Sequence, residues 1–134
     1  MNISSGRVSR FLLKERWFNR AKNQVKQEAF MPSNKSKNLS VSCTADLTES
    51  EIWQIGLNVV QVRTDAIAQS LRLLGRADVK SESIEGIGLK LDRDDQPLYH
   101  ANITGWPAQP ENIKMKAAEL AVFAKLVLHE DARS

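Results

Sequence analysis

His100 is the residue of this chain best suited to acid–base chemistry, because histidine gains or loses a proton near neutral pH. Within the segment 98–107, His100, Asn102 and Thr104 alternate with apolar residues and so share one face of a predicted strand. With a cation to hold phosphate, such a histidine supports RNA cleavage without a metal ion. The candidate phosphate ligands are Arg10, Lys26 and Arg76. A hydrogen-bonded structural histidine is the alternative interpretation.

Three carboxylates, Asp92, Asp94 and Asp95, precede this strand, and their oxygens are of the kind that binds Mg²⁺ or Ca²⁺. Aspartate is also favoured in turns for its local hydrogen bonds, and this explains the cluster equally well. His100, His129 and the single cysteine lack the spacing of a zinc site, and there is no glycine-rich phosphate loop or Gly-x-Ser-x-Gly motif. The sequence therefore predicts no metal and no cofactor.

Positive charge is concentrated in residues 1–37, which hold nine Lys or Arg against two acidic residues; residues 38–134 hold ten against fourteen. Such a segment suits phosphate contacts, with interleaved aromatic rings stacking on bases. An acidic protein is an equally suitable partner, and a solvated basic face with aromatic residues in the core is the simplest alternative. The candidate anion-binding residues are Arg7, Arg10, Lys14, Arg16, Arg20, Lys22, Lys26 and Arg76. The candidate stacking residues are Trp17 and Trp106.

Two helices are expected to position these side chains. Thr48 and Glu51 form a capping box, which predicts a helix over 48–60. A second helix is predicted over 110–129, because apolar residues recur there at spacings of three and four. Pro110 suits the first turn of that helix, where its missing N–H leaves no bond unmade.

Strands are expected between and beside the helices. Apolar and polar residues alternate over 39–45 and again over 87–91, which predicts two strands with one buried face each. The segment 92–97 has the composition of a hairpin turn, so a return strand is predicted over 98–104. For residues 8–25 the apolar spacing fits a helix, but a strand at its start fits as well.

Together these elements predict an α+β fold, in which an antiparallel sheet of three to five strands packs against the two helices. The length of 134 residues favours one compact domain, with a core over 38–134 and the basic segment 1–37 packed on it. No apolar stretch resembles a membrane span or a signal peptide, so a cytoplasmic protein is expected.

The charge asymmetry and the missing catalytic motifs favour a small binding module that engages an acidic protein or nucleic acid through its N-terminal segment. An enzyme that processes RNA or nucleotides with His100 as acid or base is a second hypothesis. A structural protein whose basic segment completes a homo-oligomer is a third. The sequence does not decide whether Arg10, Arg76 and His100 lie close together.

Overall fold

The computed structural model describes residues 6–67 and 71–129, which contain eight strands and three α-helices. The strands are β1 (Arg7–Leu12), β2 (Phe18–Asn19), β3 (Gln24–Val25), β4 (Leu39–Cys43), β5 (Gly75–Lys80), β6 (Lys90–Arg93), β7 (His100–Thr104) and β8 (Lys125–Leu128). The helices are α1 (Glu49–Ile67), α2 (Ser81–Gly86) and α3 (Pro110–Phe123).

Six strands form one antiparallel sheet in the order β6-β7-β4-β1-β5-β8, and β2 and β3 form a separate hairpin. The predicted α+β class, the single domain and the mainly antiparallel sheet are confirmed, but the sheet has six strands rather than three to five. β1 accounts for part of the difference, because residues 7–12 form a central strand paired with both β4 and β5.

The second predicted helix is too long at its C-terminal end. α3 begins at Pro110 as expected but ends at Phe123, and Ala124 is already extended. Residues Lys125–Leu128 form β8, which pairs with β5 and buries Leu126. Over a stretch as short as residues 125–128, apolar residues at every second position fit a helix as well as a strand. Only the pairing with β5 identifies this stretch as a strand.

The first predicted helix is too short. Its capping box is confirmed: the Thr48 N–H donates to Glu51 Oε1 at 2.9 Å, and the Glu51 N–H donates to Thr48 Oγ1 at 3.2 Å. α1 then continues to Ile67 instead of ending near residue 60. Residues 61–67 contain neither glycine nor proline, so nothing in this stretch interrupts the helix.

The two faces of the sheet differ in chemistry, because successive side chains of a strand point to opposite faces. One face, here called the apolar face, packs near α3 and the 3-10 turn Gln27–Phe30. It includes Val8, Leu12, Leu39, Val41, Ala101, Ile103 and Leu126. The opposite face, here called the polar face, includes Ser9, Ser40, Ser42, Asp78, His100, Asn102 and Thr104.

α1 covers part of the polar face. Gly56 permits its close approach, since a Cβ at this position would lie 2.8 Å from the Phe11 ring and 2.9 Å from Leu73. β4 and β5 are both antiparallel to β1 and so run in the same direction, with α1 as the connection between them. α1 therefore returns over the sheet, and its C-terminal turns approach the end of β4 that carries Ser40.

Candidate functional site

His100 lies between a serine and an aspartate on the polar face. Its Nε2 is 2.5 Å from Ser40 Oγ, and its Nδ1 is 2.7 Å from Asp94 Oδ1. Only 20% of the His100 side chain is exposed, compared with 44% for Asp94, and Ser40 is also exposed. The imidazole is thus fixed at both nitrogens, while the serine hydroxyl stays accessible to solvent.

The hydrogen bond from His100 lowers the pKa of Asp94, and the N–H of Gln96 contributes in the same direction by donating to Oδ1 at 3.1 Å. An ionised carboxylate only accepts hydrogen bonds, so the proton of a neutral His100 lies on Nδ1. Nε2 is then the acceptor and the Ser40 hydroxyl is the donor. This arrangement allows His100 to remove a proton from Ser40.

The register of two strands brings these groups together. β4 pairs with β7 so that Ser40 faces Asn102 and Ser42 faces His100, and the diagonal neighbours Ser40 and His100 meet on one face. Asp94 comes from the turn between β6 and β7, where the N–H groups of Asp94 and Asp95 donate to the His100 carbonyl oxygen at 3.2 and 3.0 Å. The turn thus closes around His100.

Two residues of this turn adopt backbone angles that are uncommon for residues other than glycine. φ is 52° at Asp95 and 74° at Tyr99. Such conformations cost on the order of 1–3 kcal/mol and persist where other contacts fix them. Here the Tyr99 N–H donates to Asp95 Oδ1 at 3.0 Å, and the Tyr99 carbonyl oxygen accepts from the Cys43 N–H at 2.8 Å.

Arg10 lies on β1 with its side chain toward the apolar face, since it alternates with Ser9 and Phe11. Its Nη1 donates to the Ser40 carbonyl oxygen at 3.0 Å and its Nε to that of Ala29 at 2.9 Å. Burial, followed by the positive charge of Arg63 on α1, lowers the pKa of Arg10 to about 10. Among the described residues no carboxylate contacts Arg10, and its guanidinium is bonded to main-chain carbonyl oxygens instead.

The three aspartates proposed as metal ligands each have another partner. Asp94 accepts from His100, Asp95 accepts from Arg93 Nε at 2.8 Å, and Asp92 accepts from Thr104 Oγ1 at 2.9 Å. Within residues 6–67 and 71–129, no group of three His, Cys, Asp or Glu residues is arranged to hold a metal ion.

The candidate anion-binding residues separate into two groups. Residues 14–26, here called the basic hairpin, contain β2, β3 and the turn between them, and expose all five of their cations. These are Lys14, Arg16, Arg20, Lys22 and Lys26. Arg20 also bonds Glu15 Oε1 at 2.9 Å. The stacking candidate Trp17 is only 9% exposed and lies beneath the charged groups of Arg10 and Lys14.

Arg7 and Arg76 belong to the second group, whose side chains are bonded within the fold. Arg7 Nη2 donates to the Thr44 carbonyl oxygen at 2.6 Å. Arg76 is paired with Glu49 and Asp78 at 2.8 and 3.0 Å and lies over the Trp53 ring. Both arginines line an open cavity of about 880 Å³ beside β5 and β8. Arg76 is two strands from β4 in the sheet order, and Arg10 bonds the Ser40 main chain from the opposite face. The structure therefore does not bring Arg10, Arg76 and His100 together in one site.

The other stacking candidate, Trp106, is half-buried, and its Nε1 donates to the Ile103 carbonyl oxygen at 2.9 Å. Its indole N–H is therefore satisfied by the fold, which is the usual condition for a packed tryptophan.

Comparison of the chain with known protein families, curated proteins and solved structures finds no match. The functional argument therefore rests on the geometry of the chain itself. In the described ranges, no helix is long and apolar enough to cross a membrane.

Ser40 and Asp94 are hydrogen-bond partners of His100 that the sequence alone does not connect to it. Alternation correctly placed Ser40 and His100 on the polar faces of their strands. The missing information was the pairing of two strands separated by about 60 residues, which no local pattern contains.

Proposed function

We propose that the protein is a small binding module that engages nucleic acid through the phosphates, using the basic hairpin. The observation that carries this proposal is the exposure of five cations within residues 14–26, a stretch whose one acidic residue is Glu15. Clustered cations of this kind bind phosphates by releasing condensed counterions, which needs no defined pocket.

The surroundings of these cations favour nucleic acid over an acidic protein. Stable protein interfaces have an apolar or aromatic centre. The large apolar side chains that are exposed in the described part of the chain all lie outside the basic hairpin, and Trp17 and Phe18 are buried. Since the rings inside the hairpin are not available for stacking, binding should depend on backbone phosphates and vary little with base sequence.

The proposal is tested by fluorescence anisotropy with short single-stranded and duplex nucleic acids at several salt concentrations. Binding should weaken steeply with salt, with a logarithmic slope on duplex DNA of about −0.9 for each phosphate neutralised. The triple variant Lys14→Glu/Lys22→Glu/Lys26→Glu should lose most of the affinity and flatten that slope.

A matched control carries the same change in net charge at other exposed lysines: Lys80→Glu/Lys90→Glu/Lys114→Glu. If both triple variants lose affinity equally, the hairpin is not the binding surface. If the wild-type protein binds no nucleic acid at low salt, the proposal is wrong, and a titration with polyglutamate then tests an acidic protein partner.

A further inference from the structure

We infer that Ser40 is the nucleophile of a second site, independent of the basic hairpin, which cleaves carboxylic esters by acyl transfer with His100 as general base and Asp94 as its positioning residue. The inference rests on the spatial order of three groups. The hydroxyl, the imidazole and the carboxylate are joined through Nε2 and Nδ1 of one ring, at 2.5 and 2.7 Å. This is the geometry by which a base oriented by a third group activates a serine.

The exposure of the three groups agrees with these roles. A nucleophile has to meet its substrate, and Ser40 is exposed on the sheet. The general base needs a fixed orientation, and His100 is mostly buried and bonded at both ring nitrogens. Asp94 is also restrained by the Gln96 N–H, so the carboxylate that orients the imidazole is itself held in place.

A donor for the developing oxyanion is available on the neighbouring strand. Asn102 lies directly opposite Ser40 in the β4–β7 register, and residues so paired have Cβ atoms about 5 Å apart on one face. In the described part of the chain, the side-chain amide of Asn102 has no hydrogen-bond partner. The side-chain N–H of Asn102 can therefore donate a hydrogen bond to the oxygen on the carbon that Ser40 attacks.

The reaction proceeds in two balanced steps with water as the second reactant. In the first, Ser40 Oγ forms a bond to the carbonyl carbon while its proton passes to His100 Nε2; the ester C–O bond then breaks, and that proton leaves with the alcohol. In the second, His100 takes a proton from water, the hydroxide oxygen bonds to the acyl carbon, and the Ser40–acyl bond breaks. The proton returns to Ser40 and a carboxylic acid is released.

The first test is covalent labelling with a fluorophosphonate, in which an activated serine displaces fluoride from phosphorus. The intact mass should increase by one phosphonyl group, and peptide mapping should place that group on Ser40. Ser40→Ala should abolish the label, whereas Ser36→Ala, in an exposed loop, should retain it. A known serine hydrolase in the same tube serves as the positive control. If that enzyme is labelled and Ser40 of the folded protein is not, the inference is wrong.

Two exposed aspartates provide a matched pair for the positioning role. Asp94→Asn should slow labelling by up to about 10⁴-fold, while Asp46→Asn, outside the turn that surrounds His100, should leave the rate nearly unchanged. The nitrogen NMR spectrum of His100 should show the proton on Nδ1 in the wild-type protein and a redistribution in Asp94→Asn only. Equal loss of labelling in both variants, or an unaltered imidazole spectrum in Asp94→Asn, contradicts the assigned role.

Turnover tests the oxyanion donor separately from the nucleophile. The wild-type protein should hydrolyse p-nitrophenyl acetate, and Asn102→Ala should lower kcat by about 10²-fold or more. Equal kcat values for the two proteins refute the role assigned to Asn102.

Discussion

The basic hairpin and the polar face contain the same kinds of charged side chain, but the fold uses them differently. In the hairpin the cations extend into solvent around a buried Trp17. In the six-stranded sheet, by contrast, three arginines donate to carbonyl oxygens or carboxylates of neighbouring elements: Arg7 and Arg76 on the polar face and Arg10 on the apolar face. The count of positive charges in a segment therefore says little about which of them are available to a partner.

The two regions also differ in how their proposed functions depend on geometry. Phosphate contacts by exposed lysines are additive and tolerate displacement, so each residue of the hairpin is expected to contribute a small part of the affinity. Proton transfer from Ser40 to His100 depends on distances set within a few tenths of an ångström, so one substitution can remove the whole effect.

The largest effect on stability that separates the regions is expected from Arg76→Ala. Only 3% of the Arg76 side chain and 11% of the Asp78 side chain are exposed, and removal of the arginine leaves Asp78 without its main counterion. The free energy of unfolding should fall by about 3–5 kcal/mol. Chemical denaturation monitored by circular dichroism measures this change.

Arg16→Ala in the basic hairpin is the matched comparison, since Arg16 is exposed. Its effect on the free energy of unfolding should stay within about 0.5 kcal/mol. If the two arginines contributed equally to stability, the distinction between internally bonded and exposed cations would be wrong.

A smaller effect is expected from Gly56→Ala, which should disturb the polar face and leave the hairpin intact. The added Cβ would meet the Phe11 ring at 2.8 Å, so either α1 or the Phe11 side chain has to shift. Overpacking costs about 1–3 kcal/mol, and the better helix propensity of alanine returns up to about 1 kcal/mol. The variant should therefore be less stable than the wild type in a denaturation series, with nucleic-acid affinity unchanged.

Gly86→Ala is the control for Gly56→Ala, because a Cβ at Gly86 meets no atom within 4 Å. This control should be neutral or slightly stabilising. A loss of stability equal to that of Gly56→Ala would mean that the close contact between α1 and Phe11 does not explain the effect.

The parts of the fold that could be predicted from the sequence are those determined by local patterns. The capping box placed the start of α1, Pro110 placed the start of α3, and alternation placed β4. The boundary between α3 and β8 could not be predicted, because β8 exists only through its pairing with β5, which precedes it by about 50 residues. The hydrophobic periodicity of a segment does not indicate which distant strand it pairs with.

For each of the two candidate sites, one part could also be predicted from the sequence and another part could not. The basic character of residues 14–26 is visible in the composition, but the burial of Trp17 is not, since it depends on the packing of the hairpin against the sheet. His100 was identified from its residue type and its strand face. Its connection to Ser40 needed the β4–β7 register, and its connection to Asp94 needed the turn that folds back on the strand.

The smallest expected effect concerns the pKa of one carboxylate on the polar face, that of Asp94. Because His100 donates to Asp94, the pKa of Asp94 should lie below its ordinary value in an NMR titration of the carboxyl carbons, and His100→Ala should raise it. A lowered pKa in the folded state means that the bond stabilises the protein above the unfolded pKa, and that this stabilisation is lost as the pH falls through the folded pKa. The pKa of Asp95, which is lowered chiefly by the hydrogen bond from Arg93, should change less than that of Asp94. An Asp94 titration that does not respond to His100→Ala would show that the two groups are not bonded in solution, and would remove the positioning role on which the serine site depends.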